Sequence, residues 1–169
     1  WMMASPKQDI EFHAFYTRPI VDKETERAKG YATAFHSAPK VLKDWAQTIS
    51  DSKCDVLIYP EIGMEPVTLK LAAMRLAPVQ VGSWGHAEGT GLPTIDYYLT
   101  GDLIEPANAQ DNYSEKIVRL PNLGCYVEPW AVTPEEINPQ EFGLDAARPW
   151  LVCPGSPYKY RPEHDQLWL

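Results

Sequence analysis

Cysteine is scarce in this chain. Cys54, Cys125 and Cys153 are odd in number and far apart. No Cys-x-x-Cys pair occurs, so neither a disulfide framework nor a zinc site is expected. A reduced, cytosolic setting is the natural reading. Long apolar runs are also missing. None reaches the roughly 18 residues a membrane helix needs, so no span and no membrane partner are expected. The first residues, Trp1-Met-Met-Ala-Ser-Pro6, have no basic stretch ahead of an apolar core, so no secretory signal is read. A chain that begins on Trp1 is expected to be clipped. Basic residues are few and unclustered: 15 Lys and Arg stand against 23 Asp and Glu, for a formal net charge of -8. This excludes nucleic acid as the main partner, because phosphate backbones need clustered Lys and Arg. One small phosphorylated ligand stays compatible, since a lysine and a few backbone N–H groups can hold it.

The chain has 169 residues and is 44% hydrophobic, which suits one domain or one domain plus a piece of another. Its organising stretch runs from Asp55 to Leu123. There a short apolar run ends in a polar, glycine-bearing turn, first at Asp55-Val-Leu-Ile-Tyr-Pro-Glu-Ile-Gly63, then at Leu76-Ala-Pro-Val-Gln-Val-Gly-Ser-Trp-Gly-His86. Gly89-Thr-Gly91 follows the second. In α/β sheets, ligands bind at the carboxyl ends of such strands.

Taken in order, Asp9 to Tyr16 alternates polar with apolar and reads as a strand near a sheet edge. Asp22 to Ala34 reads as a surface helix with Asp22 at its N-cap. Pro39 to Ser50 sets Val41, Leu42, Trp45, Ala46 and Ile49 at helical spacing. Asp55 to Tyr59 and Pro78 to Ser83 read as buried parallel strands, with a helix from Pro66 to Leu76 between them. A third strand surrounds Ile95 to Leu99, a short helix covers Glu105 to Tyr113, and Lys116 to Leu120 is a last short strand. Alternating strands and helices without repeats predict an α/β fold: a Rossmann-like parallel sheet with helices on both faces.

After residue 126 the composition changes. Val127 to Pro149 is rich in proline and reads as a linker. Trp150-Leu-Val-Cys-Pro154 reads as a new strand, Gly155-Ser-Pro-Tyr-Lys159 as its turn, and Pro162 to Leu169 as the beginning of a helix. A strand and one helical turn are expected to open a second lobe that continues past Leu169.

The ordered set Leu76-Ala-Pro-Val-Gln80, Trp84-Gly85-His86, Thr90-Gly91, Asp96-Tyr97, Tyr113-Ser-Glu-Lys116 and Leu120-Pro121 resembles the catalytic region of glycosyltransferase family 41, the O-GlcNAc transferases and their bacterial relatives. Cys153-Pro-Gly-Ser-Pro-Tyr-Lys159 resembles the first strand and turn of that family's nucleotide-binding lobe. The resemblance implies a GT-B arrangement of two Rossmann-like lobes. Residues 1–126 would be most of the N-terminal lobe, 127–149 the interlobe linker, and 150–169 the start of the C-terminal lobe. It further implies a UDP-sugar donor, a protein or peptide acceptor, and transfer of GlcNAc or a hexose. No Asp-x-Asp pair occurs, which agrees with a route that uses no metal or other cofactor and steadies the departing diphosphate with a lysine and N–H groups.

Lys159, after the Gly155-Ser156 turn, matches by resemblance the lysine that contacts the diphosphate; position alone also fits a solvated lysine. Gly85 lets a ligand approach the backbone. His86 is the candidate catalytic residue, able to donate to the sugar, accept from the acceptor or act as a base, or else a structural loop histidine. Thr90 and Gly91 offer N–H groups to a ligand or form a plain tight turn. Ser156 joins Lys159 on the donor side. Glu61 faces the cleft or caps a helix. Lys116 reads as a surface ion pair with Glu115. Trp45 and Trp150 read as core, and Trp84 as core or a stacking surface. Two rival readings stay open: a non-catalytic Rossmann-like binding module, and another GT-B enzyme such as a sugar-nucleotide epimerase.

Overall fold

The computed structural model describes residues 10–37, 41–85, 88–127, 129 and 131–167. The chain divides after residue 128 into two units. Among the described residues no helix is long and apolar enough to cross a membrane.

The first unit holds every strand found among the described residues. β1 (His13–Tyr16) pairs in parallel with β2 (Ala34–Ser37), joined by α1 (Lys23–Tyr31). α2 (Leu42–Asp51) leads to β3 (Val56–Tyr59), α3 (Pro66–Ala72) and β4 (Val79–Ser83), then β5 (Tyr97–Gly101) and β6 (Lys116–Leu120). The last four strands form one parallel sheet in the order β3-β4-β5-β6. Consecutive strands are therefore neighbours, and their carboxyl ends share one edge.

The core lies where α2 and α3 meet this sheet. Trp45 and Ile49 of α2, Leu71 and Ala72 of α3, and Leu57 and Tyr59 of β3 join Ile62, Ala77 and Ile95. Burying a large apolar side chain contributes about 1.5–3 kcal/mol. The spacing of Trp45 and Ile49 puts both on one face of α2.

Several boundaries depart from the sequence reading. The helix predicted over 22–34 stops at Tyr31, and Ala34–Ser37 becomes a strand. The Phe12 carbonyl accepts from the Thr33 and Ala34 N–H groups, while Phe12 N–H donates to the Thr33 hydroxyl. These bonds fix the chain in an extended course beside β1. Asp22 is the N-cap, accepting from Thr25 N–H at 2.8 Å, and that hydrogen bond holds its carboxyl below the usual range. β3 is buried on one face only, with Val56 and Ile58 exposed.

The helix predicted over 105–113 is only a 3-10 turn, Ala109–Asn112. The Arg119 guanidinium of β6 donates to the carbonyls of Glu105, Pro106 and Ala107, and the Pro106 carbonyl also accepts from Ala109 N–H at 3.1 Å, a three-residue closure of 3-10 type.

The second unit departs further. The strand predicted over 150–154 is absent: these residues have no ladder partner and are exposed. Pro149 and Pro154 bracket the run and donate no N–H. Trp150, read as core, is 38% exposed, and its indole N–H donates to the Asp145 carbonyl. The helix predicted from 162 is a 3-10 turn, Pro162–Leu167. The predicted linker holds one ordered turn, Pro139–Phe142, capped by Asn138 and closed by Gly143 at φ 69.

Candidate functional site

Three buried or half-buried polar side chains hold the sheet together, and all come from the ordered motifs. Gln80 is fully buried; its amide donates to the carbonyls of Met74 at 2.9 Å and Thr94 at 2.8 Å and accepts from Leu76 N–H at 2.9 Å. It thereby ties the end of α3 to β4 and to the segment before β5. Asp96 takes a two-pronged contact from Arg75, at 2.6 and 3.0 Å, and accepts from Gln80 N–H at 2.8 Å. The Arg75 bonds chiefly hold its carboxyl below the usual range.

Glu115, at the foot of β6, is 2% exposed. It accepts from Thr90 N–H at 2.7 Å, from the Thr90 hydroxyl, and from the Ser114 hydroxyl at 3.0 Å. Burial pushes its carboxyl up, but these bonds outweigh burial and leave it below the usual range. It is not the surface partner of Lys116, whose ammonium lies 5.9 Å from the centre of the Tyr97 ring.

The turn Trp84–Gly85 sits at the carboxyl edge of the sheet. Gly85 N–H donates to the Pro60 carbonyl at 3.2 Å, joining the tips of β3 and β4. A Cβ on Gly85 would come 2.2 Å from that oxygen, so only glycine fits. Trp84 and Gly85 line two concavities. One, of about 270 Å³, is closed by Pro60, Ser83, Cys125 and Tyr126. The other, of about 450 Å³, is closed by Tyr98, Ile104, Glu105 and Tyr113. That volume lies within the range of small-molecule sites.

In the larger concavity Glu105 accepts from the Tyr113 hydroxyl at 2.6 Å and the Thr100 hydroxyl at 3.0 Å. Burial, then the charges of Glu105 and Glu115, push Tyr98 up to about 12. Burial and the bond to Glu105 push Tyr113 up as well. Both phenols stay neutral near pH 7, so they serve as hydrogen-bonding walls and not as bases.

Of the residues predicted from sequence, the structure puts Gly85 at the strand edge. His86 lies outside the described residues. The Thr90 N–H, offered to a ligand in the sequence reading, is donated to Glu115 instead. Gly91 adopts φ 63 with open space around it, as a tight turn requires. Ser156 and Lys159 belong to the second unit, where Lys159 N–H donates to the Ser156 carbonyl at 2.9 Å. Glu61 accepts from Met64 N–H, and the cap of α3 is Glu65. Sequence reasoning missed Glu105, which it placed inside a helix; the signal available was its position just past the β5 tip.

No protein-family model matches the chain. Among curated proteins, it is 33% identical over 131 residues to the probable UDP-N-acetylglucosamine–peptide N-acetylglucosaminyltransferase SPINDLY of Arabidopsis thaliana, covering 68% of this chain and 14% of that protein. With the tomato (Solanum lycopersicum) SPINDLY it shares 40% identity over 87 residues, 50% of this chain and 9% of that protein. The chain is similar to the family 41 glycosyltransferases. A bacterial relative is the UDP-glucose:protein N-beta-glucosyltransferase of Actinobacillus pleuropneumoniae, 28% identical over 56% of this family 41-like chain and 15% of that enzyme. The chain thus spans about a tenth of the length of its curated plant relatives. A mutant O-GlcNAc transferase of Thermobaculum terrenum shares the fold, with a TM-score of 0.65 at 22% identity over 70% of this chain and 23% of that one.

Proposed function

We propose that this family 41-like chain supplies one wall of the active cleft of a protein glycosyltransferase. The enzyme would transfer GlcNAc or a hexose from a UDP-sugar to protein side chains without a metal ion, in the cytoplasm. The observation that carries the reading is the Trp84–Gly85 turn, lodged at the shared carboxyl edge of β3 and β4 and lining both concavities. The names of the relatives supply the donor and acceptor classes.

In the proposed reaction the bond from the anomeric carbon to the diphosphate oxygen breaks. A bond from that carbon to an acceptor oxygen or nitrogen forms, and the acceptor proton passes to a base. His86 is the candidate for that base or for a sugar contact. Lys159 and Ser156, in a segment proposed as the opening of the C-terminal lobe, would meet the negative charge that grows on UDP. Thr90 would act by shaping the turn, and Gly91 by giving the ligand room.

One observation favours the rival binding-module reading for residues 1–128 alone. Among the described residues, neither concavity is lined by a lysine or arginine that could hold a diphosphate. Calorimetry with UDP on this chain and on the complete gene product that carries it separates the two readings.

The direct test incubates that gene product with UDP-GlcNAc or UDP-glucose and a cell lysate. Modified protein together with UDP release is the expected result. No transfer and no UDP release with any donor would remove the enzyme claim, and free sugar as the product would favour an epimerase-like or small-molecule enzyme. His86→Ala and Lys159→Ala should each lower turnover. Wild-type rates in both would overturn the site assignment.

A further inference from the structure

We propose that Glu115 is a positioning residue: its buried carboxylate anchors the 89–92 turn against Tyr113 and so holds that wall of the larger concavity in place. The inference rests on the transferase reading for its consequence, and on geometry alone for the anchoring itself.

A carboxylate taken out of water is unfavourable unless hydrogen bonds replace its hydration. Glu115 is 2% exposed, and no salt bridge to it is formed among the described residues. Its donors are Thr90, twice, and Ser114. Two of the three thus come from one residue of the turn, 25 positions earlier in the chain. The Thr90 hydroxyl oxygen in turn accepts from Leu92 N–H at 3.1 Å, so the anchor reaches past the left-handed Gly91.

The turn is also held close. A Cβ at Gly89 would come 3.0 Å from the Tyr113 ring and 3.3 Å from Glu115 Oε2. Tyr113 is itself a wall of the larger concavity and bonds to Glu105 there. Glu115 therefore holds the turn and, through it, the packing of Gly89 on the Tyr113 ring.

The test uses the chain in amide-exchange NMR and the complete gene product in transfer assays. Glu115→Gln keeps the shape but loses the charge, and should speed exchange at Thr90 and Leu92 by about tenfold or more while leaving Val81 in β4 protected. Thr90→Val, which removes the hydroxyl donor at nearly constant volume, should reproduce part of this. Thr90→Ser, which keeps both donors, should restore wild-type exchange. Asp96→Asn serves as the structural comparison: it should lower the melting temperature while Thr90 stays protected relative to the sheet. In transfer, Glu115→Gln and Thr90→Val should lower kcat/KM by about tenfold and Thr90→Ser by less than about twofold.

Wild-type protection of Thr90 in Glu115→Gln would overturn the proposal. So would an equal loss of protection at Thr90 and Val81, which would mark Glu115 as a general stabiliser only. If Glu115→Gln does not fold, the Thr90→Val and Thr90→Ser pair decides alone: equal exchange and equal kcat/KM in those two would overturn it. If the wild-type gene product transfers no sugar, the transferase reading falls while the exchange results still judge the anchor.

Discussion

Trp45 and Leu151 are both large apolar side chains, yet the first is 1% exposed and the second 80%. The difference follows from the backbone around them. Trp45 stands on a helix laid against paired strands, within a cluster of buried apolar side chains from α2, α3 and β3. Leu151 stands in a stretch between Pro149 and Pro154 with no strand beside it. In the first unit strand pairing satisfies the backbone and frees side chains to bury. In the second, Pro129, Pro134, Pro139, Pro149, Pro154, Pro157 and Pro162 withhold donors. Its ordered pieces are local turns, each closed by a nearby carbonyl or side chain. Apolar content alone does not make a core; a partner for the backbone must come first.

The sharpest way to break this contrast is a pair of truncations. Trp45→Ala should destabilise the chain by about 3–5 kcal/mol in denaturant unfolding, and Leu151→Ala by less than about 0.5 kcal/mol. Comparable losses would show that the second unit shares a core.

Gly85→Ala should come next, at about 1–3 kcal/mol, because its Cβ meets the Pro60 carbonyl oxygen. Gly91→Ala meets open space and should lose only about 1–2 kcal/mol, through its positive φ. The same unfolding experiment ranks them, and the reverse order would contradict the tight joint between the β3 and β4 tips.

Acid should act on the sheet through Asp96 and Glu115. Both carboxyls are held below their ordinary values of 3.8 and 4.5 in the folded chain. Their contribution is therefore complete above those ordinary values and is lost as pH falls through the lower folded ones. Melting temperature should decline over that acid window, and Glu115→Gln should flatten the decline. An unchanged slope in that variant would mean the carboxylate is not ionised in the fold.

The smallest structural effect is expected from Lys159→Ala, within about 0.5 kcal/mol of wild type. Its exposed position gives it no packing to lose. A large loss of stability would show that its side chain is structural after all.

Much of the first unit was legible because its signals are local. The helical spacing of Trp45 and Ile49, the Asp22 cap, and the apolar runs at 56–59 and 79–83 each act within a few residues. The strand Ala34–Ser37 was hidden because its reason lies in Phe12 and β1, over twenty positions away. The segment expected as a helix at 105–113 is likewise held from a distance, by Arg119 of β6 on the carbonyls of Glu105, Pro106 and Ala107. The motifs were read as a family resemblance, with Glu115 as the surface partner of Lys116; in the fold Gln80, Asp96 and Glu115 are bonds between segments.

The sequence by itself determined the alternation of strands and helices, the parallel sheet and the resemblance to family 41, because periodicity, capping and ordered motifs are written along the chain. Only the tertiary structure decided that Thr90 spends its donors on Glu115, that Gly85 locks to Pro60, and that Glu105 and Tyr113 close a cavity beside Trp84. Those are contacts between residues distant in sequence, and a hydrogen bond or a buried charge has no energy until folding brings its partner within reach.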